Sequence, residues 1–241
     1  QTLQGTTAVI DFTNFDVGIA QDSAAIVYNI GQSNPGPILW MNGGNQLEIY
    51  TTNFEFAAPQ PQGGFLSPST FALPRQSSFG SSSICKPISY LNDSYYVNKS
   101  GNAVINYQYD GIGQTYTSTN ISIQSQHLVK NPVNRALLQG SDSSQDTFIY
   151  YLNDDNTITT FQFSHQYKLA ALTQFTVADD VLILDIISIN NEIYFLKKYL
   201  KTSESTPGEG FIVTEALGSL TTETFDNLIT EQFHNIPQFI V

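Results

Sequence analysis

Cysteine is almost absent. Cys85 stands alone in a chain of 241 residues, which excludes an internal disulfide and a cysteine-based metal site. An inert buried thiol is the ordinary expectation for it. Charge is scarce too, at 12% of residues, and basic charge is the scarcest: 9 Lys and Arg against 21 Asp and Glu, for a net charge of -12. The only arginines are Arg75 and Arg135. Nucleic-acid affinity rests on clustered cations that displace counterions, and here only Lys197, Lys198 and Lys201 lie together. We read that trio as a solvated strand edge, so tight duplex binding is not expected. An acidic surface still suits a wall past which nucleic acid slides without sticking. No apolar run reaches the roughly 18 residues of a membrane span.

Motifs of chemistry are equally scarce. His127, His165 and His234 stand far apart, without the close pairing of a zinc site. Asp154-Asp155 and Asp179-Asp180 sit in turn contexts and lack the alternating oxygen ligands and glycine of a calcium loop. There is no Gly-x-Ser-x-Gly elbow and no phosphate loop. The Asn-x-Ser triplets at Asn92, Asn98 and Asn120 are expected by composition alone. No catalytic residue, metal site or cofactor is assigned, and an enzyme is not the expected reading.

What the chain does hold is the material of sheets. Hydrophobic residues make up 41%, with 13 Tyr and 16 Phe, many in alternating runs beside β-branched residues, the mix that strands favour. That composition is unlike a disordered chain. The pattern predicts strands at residues 7–12, 24–30, 38–41, 46–50, 88–97, 103–109, 135–139, 147–152, 157–163, 168–177, 181–189, 192–200 and 211–215. Asn42-Gly43-Gly44-Asn45 reads as a hairpin turn, and Trp40, the only Trp, as a core anchor of that hairpin. Residues 57–68, rich in Pro, Gly and Gln, read as a loop. Residues 121–129 are the place for a short helix, ended by Asn131-Pro132, and residues 222–233 are ambiguous between helix and irregular structure.

A repeat organises these runs. Leu39, Ile88, Leu138 and Ile187 each begin a hairpin and recur about 49 residues apart, a period that fits a propeller blade better than a helical repeat. The expected fold is all-β: a β-propeller-like repeat of about four blade units, near residues 7–56, 84–120, 135–177 and 181–216, forming a single domain over 1–241 or a fragment of one. The chain starts at Gln1 and closes on an apolar Pro237-Gln238-Phe239-Ile240-Val241. The expectation is that both ends are cuts through something longer.

Several stretches carry a resemblance. Residues 11–16, 22–28, 38–40 and 47–50 open it. The most specific blocks are 66–70, the run Arg75, Gln76, Ser77, Ser78, Phe79, Gly80, and then Pro87-Ile88 with Tyr96-Val97. It continues through 106–109, 119–122 and His127-Leu128 to 150–157 and 160–163. In order and spacing the chain, over about residues 7–200, resembles the tail nozzle proteins of short-tailed bacteriophages, also called tail tubular or stabilisation proteins. It departs at residues 166–171, where the family has an aspartate-rich strand containing Trp, and the family's chains are commonly longer. The resemblance implies a structural virion protein. Its expected form is a homo-oligomer, a hexameric ring at the tail that contacts the adaptor and other tail proteins. Genomic DNA would pass through the lumen without specific binding during ejection. For the block at 75–80 the expectation is an anchoring loop, with Arg75 paired to a carboxylate or carbonyls and Gly80 in a left-handed turn, or else a contact between subunits. Two other readings are a propeller-like glycan-binding adhesin, which would display aromatics on one rim, and a glycoside-acting enzyme, which would need two carboxylates facing each other in a cleft.

Overall fold

The computed structural model describes residues 2–5, 24–59, 66–140, 146–164, 169–199 and 212–216. The expected strand at 7–12, the ambiguous segment 222–233 and Lys201, His165 and His234 lie outside the described residues. The chain divides into two compact units, Gln1–Gln126 and His127–Val241.

In the first unit β1 (Thr2–Gly5) pairs antiparallel with β2 (Ile26–Asn29). A four-stranded antiparallel sheet follows, with its strands adjacent in chain order: β3 (Ile38–Gly43), β4 (Leu47–Thr51), β5 (Glu55–Ala58) and β6 (Arg75–Ser77). A second sheet has the same plan: β7 (Ile88–Tyr90), β8 (Asp93–Val97), β9 (Val104–Asp110) and β10 (Thr115–Asn120). In the second unit β11 (Pro132–Leu138), β12 (Thr147–Asn153), β13 (Thr157–Ser164) and β14 (Leu169–Thr176) form a third such sheet. The strands β15 (Val181–Ile189), β16 (Glu192–Tyr199) and β17 (Ile212–Ala216) form a fourth, three-stranded sheet. The protein is therefore all-β among the described residues, apart from one short 3-10 turn at Gln126–Leu128. No helix there is long and apolar enough to cross a membrane.

The repeat read from sequence has a structural counterpart. Leu39, Ile88, Leu138 and Ile187 lie in β3, β7, β11 and β15, the first strand of each successive large sheet. Two expectations need correction. Residues 88–97 form a hairpin rather than one strand, because Tyr90 pairs with Asp93 across a two-residue turn in which Leu91 takes a left-handed φ of 54°. The expected loop at 57–68 begins inside β5, since Ala57 and Ala58 pair with Glu48 and Leu47. The 190–191 turn behaves as read: Asn190 and Asn191 have φ of 50° and 61°, the primed turn that matches the twist of a hairpin.

Both faces of the first large sheet are covered, and period-2 alternation explains how. Leu47 and Ile49 on β4, with Phe56 and Ala58 on β5, face one way and join Ile30 and Leu73 in an aliphatic and phenylalanine cluster. Tyr50 and Ala57 face the other way and pack with Tyr96, Ile105, Tyr107 and Tyr116 of the second sheet. Trp40 and Tyr109 flank this tyrosine layer. In the second unit the third and fourth sheets pack through Leu152, Ile158, Ile183, Ile186, Ile193 and Phe195, a layer dominated by hydrocarbon. Asn156, with φ of 65°, clips those two sheets together: its Nδ2 donates to Val181 O at 2.7 Å and its Oδ1 accepts from Ile183 N at 2.6 Å.

Candidate functional site

The residues at 75–80 run from β6, an edge of the first large sheet, toward the second large sheet, and Trp40, on the opposite edge strand β3, meets the chain just beyond them at Ser82. Arg75 opens β6 on an exposed edge, and its guanidinium lies 5.1 Å from the centre of the Phe54 ring. The expected pairing with a carboxylate or carbonyls is corrected to this cation–π contact. Gln76 reaches the second sheet, where its Oε1 accepts from Tyr116 N at 2.8 Å. Ser77 donates through Oγ to Glu55 Oε2, and Phe79 N donates to the same oxygen at 3.3 Å. Ser78 and Phe79 are exposed.

Gly80 has a φ of 71°, the left-handed turn expected of it. Its carbonyl accepts from Lys99 N at 3.0 Å, and the next residue, Ser81, donates its N–H to Thr51 O at 3.0 Å. Ser82 N then donates to Val97 O at 2.8 Å, and Trp40 donates its indole N–H to Ser82 O at 2.7 Å. The block is a stitch: it starts on the edge of one sheet and ends hydrogen-bonded to the next.

Beneath the stitch lie two carboxylates that sequence reasoning did not single out. Glu48 is 1% exposed and Glu55 is 0% exposed. A buried carboxylate is costly unless hydrogen-bonded. Glu48 Oε2 accepts from Tyr50 Oη at 2.8 Å, Ser94 Oγ at 2.8 Å and Asn42 Nδ2 at 2.9 Å. Asn42 also contacts Ser89 Oγ, which is 2.8 Å from Ser94 Oγ, so the Glu48 cluster ties β3 and β4 to β7 and β8. Glu55 Oε2 is held by Ser77 and Phe79 as described. Burial pushes the Glu55 carboxyl above its ordinary value of 4.5, against the opposing pull of its hydrogen bonds from Ser77, Tyr96 and the backbone. Burial first, and the neighbouring Glu48 second, push the Tyr50, Tyr107 and Tyr116 phenols above 10.0, so all three stay protonated.

The tyrosines form a connected array. Tyr107 and Tyr116 stack at 4.3 Å between ring centres with planes 14° apart. Tyr50 lies 5.1 Å from Tyr96 and 5.8 Å from Tyr107. Glu48, Glu55 and the rings of Tyr50, Tyr96, Tyr107 and Tyr116 are buried. The arrangement can clamp two sheets; it does not present two carboxylates across an open cleft. A signal for the clamp was present in the sequence, since Leu47-Glu48-Ile49 and Phe54-Glu55-Phe56 set isolated carboxylates inside apolar strands of a charge-poor chain.

The other candidates read from sequence hold turns. Asp155 pairs with Lys130 at 2.6 Å on the surface, and Asp154 accepts from Asn131 Nδ2 at 3.0 Å. Among the described residues no three His, Cys, Asp or Glu side chains are grouped to hold a metal. Cys85 is buried and lies outside any disulfide.

No protein-family model matches this chain, and no curated protein matches it. A solved structure with a loose likeness is that of SapL1 lectin in complex with alpha methyl fucoside, at 14% identity and a TM-score of 0.35. The alignment covers 75% of this chain and 63% of the lectin chain, so this chain spans less than two thirds of that one. A likeness at that level carries no argument about function.

Proposed function

We propose that this chain is a structural subunit of a bacteriophage tail nozzle, one copy in a ring that retains the genome and then conducts it during ejection. The observation that carries the reading is the place of the 75–80 block. The segment that most specifically resembles the nozzle family is the one that stitches two successive sheets together, with Gly80 in a backbone conformation that favours glycine. A resemblance resting on an architectural joint fits an architectural protein.

We read the successive antiparallel meanders, whose first strands recur about 49 residues apart, as blades of a propeller-like repeat. In the proposed ring the copies meet one another, the adaptor and other tail proteins, and the protein resides in the virion tail. DNA passes its acidic wall without specific binding, which a net charge of -12 favours. We assign it no catalytic activity, a choice supported by buried carboxylates that serve as clamps.

Light scattering of the purified chain, alone and with neighbouring tail proteins, together with negative-stain imaging, tests this. Rings with a central hole are the expected result. A particle that stays monomeric with every partner refutes ring assembly, and a glycan array then tests the adhesin reading.

A further inference from the structure

We propose that Asp110-Gly111 is a site of spontaneous backbone modification, at which Asp110 converts to isoaspartate through a cyclic imide. It is the only Asp-Gly pair in the chain. The reaction asks three things of a structure: a carboxyl carbon folded toward the next peptide nitrogen, a nitrogen outside the sheet ladder, and room for the ring to close.

The turn between β9 and β10 supplies all three. Asp110 Oδ1 accepts from Ile112 N at 3.0 Å, an Asx turn that folds the carboxyl forward over the Asp110–Gly111 peptide. Tyr116 N donates to Gln76 Oε1 and so points away from β9. Tyr116 and Tyr109 are therefore a non-hydrogen-bonded pair, and the next pair, Asp110 with Thr115, is the hydrogen-bonded one. The Gly111 N–H lies past that last rung, and among the described residues no backbone carbonyl in the turn accepts from it. A Cβ at Gly111 would meet nothing within 4 Å, so this flank of the peptide is open. Asp110 and Gly111 are exposed, and Ile112 at the tip is 99% exposed.

Asn42-Gly43, the only Asn-Gly pair in the chain, carries the same chemistry in its sequence, and the fold withholds it. The Asn42 amide donates to Glu48 Oε2 at 2.9 Å, to Ser94 Oγ at 3.3 Å and to Ser89 Oγ, which draws it across to the second sheet. Gly43 is itself paired with Leu47 in the β3–β4 ladder. Of the two pairs, the structure leaves Asp110 open.

The step balances without a co-reactant other than water. The Gly111 nitrogen bonds to Cγ of the protonated Asp110 carboxyl, one C–O bond breaks, and that oxygen leaves as water with the amide proton. Water then opens the imide. Cleavage on the Cα side leaves isoaspartate, and cleavage on the Cγ side restores aspartate. Isoaspartate places one additional carbon in the main chain at the tip and removes the side-chain acceptor of Ile112 N. The modification resets the exposed tip, while the six β9–β10 pairs from Asp110–Thr115 to Ile105–Asn120 anchor the strands behind it.

The full chain, aged at neutral pH with and without urea, tests this. Isoaspartate is labelled by protein-isoaspartate methyltransferase and located by peptide mass spectrometry. In the folded chain the label should fall at residue 110. Gly111→Ala, whose Cβ has room, should slow its appearance several-fold with the fold intact by circular dichroism, because the methyl group hinders attack by the nitrogen. Asn42 should deamidate in urea and several-fold more slowly when folded. A folded chain without isoaspartate at residue 110 overturns the proposal, as does an Asn42 that deamidates equally fast folded and unfolded.

Discussion

Replacing Gly80 by alanine tests the stitch between the first and second sheets. A Cβ at Gly80 would lie 2.1 Å from Thr52 O and 2.9 Å from Thr52 C, both backbone atoms, and 3.1 Å from the side-chain Cδ of Lys99. The Lys99 stem can swing aside, but the Thr52 carbonyl cannot without moving the β4–β5 turn. Holding a non-glycine residue at a φ of 71° costs about 1–2 kcal/mol. Moving the backbone apart also breaks the bonds from Ser81 N to Thr51 O and from Lys99 N to Gly80 O, at about 1 kcal/mol each. The substitution should therefore destabilise the first unit by about 3–4 kcal/mol.

Gly36 is the control. Its φ is 72°, but its Cβ would meet only side-chain atoms of Thr52 and Asn53, at 3.0 Å and beyond. Gly36→Ala should cost little more than the conformational term, about 1–2 kcal/mol. Urea titration followed by the fluorescence of Trp40, the only Trp in the chain, reads the first unit selectively. Equal losses for the two variants would refute the argument that the Thr52 carbonyl makes Gly80 irreplaceable.

Glu48→Ala leaves Tyr50, Ser94 and Asn42 without their shared acceptor and should cost about 3–5 kcal/mol by thermal unfolding; a loss under about 1 kcal/mol would contradict the clamp. Glu55 has a folded-state pKa raised above 4.5 by burial, so its contribution is fully present below pH 4.5 and is lost as pH rises through the folded value. Glu55→Gln should therefore gain stability relative to the unaltered chain with rising pH, and a difference independent of pH would refute this. Arg75→Ala removes an exposed cation–π contact and should cost the unit only about 0.5–1 kcal/mol, so a large ring-assembly defect in that variant would mark Arg75 as a subunit contact. Lys130→Ala breaks a surface ion pair whose side chains are 42% and 35% exposed and should cost no more than about 1 kcal/mol in the second unit, measured by circular dichroism.

The sheet character and its period were legible because both depend on local pattern. Alternating residues around Leu39, Ile88, Leu138 and Ile187 lie in the first strands of the four large sheets. Asn-rich turns were legible for the same reason: the side chain at Asn190 or Asn191 tolerates a left-handed backbone. Short strands were not. β5 and β6 have 4 and 3 residues, too few for alternation to register, and the turn at Leu91 breaks a run that looks continuous.

The clamps escaped for a different reason. That Glu48 meets Ser94, across 46 residues of chain, is decided by how one sheet lies on the next; that Glu55 meets Ser77, across 22 residues, is decided by the pairing of β5 with β6 beyond a long loop. Gly80 was read correctly as a left-handed glycine, whereas Arg75 was not placed, because a guanidinium satisfies itself equally well on a carboxylate or on a ring.

Strand order within each large sheet follows chain order without exception, and that has a kinetic consequence. Within each large sheet every strand after the first pairs with its immediate predecessor, and apart from the longer connections between β5 and β6 and between β16 and β17 the loops are short, the condition associated with fast folding. During synthesis a sheet can zip up as soon as its own strands have emerged, and its tyrosine or isoleucine face then waits only for the next sheet in line. Such an order shortens the interval during which unpaired strand edges can capture a neighbouring nascent chain.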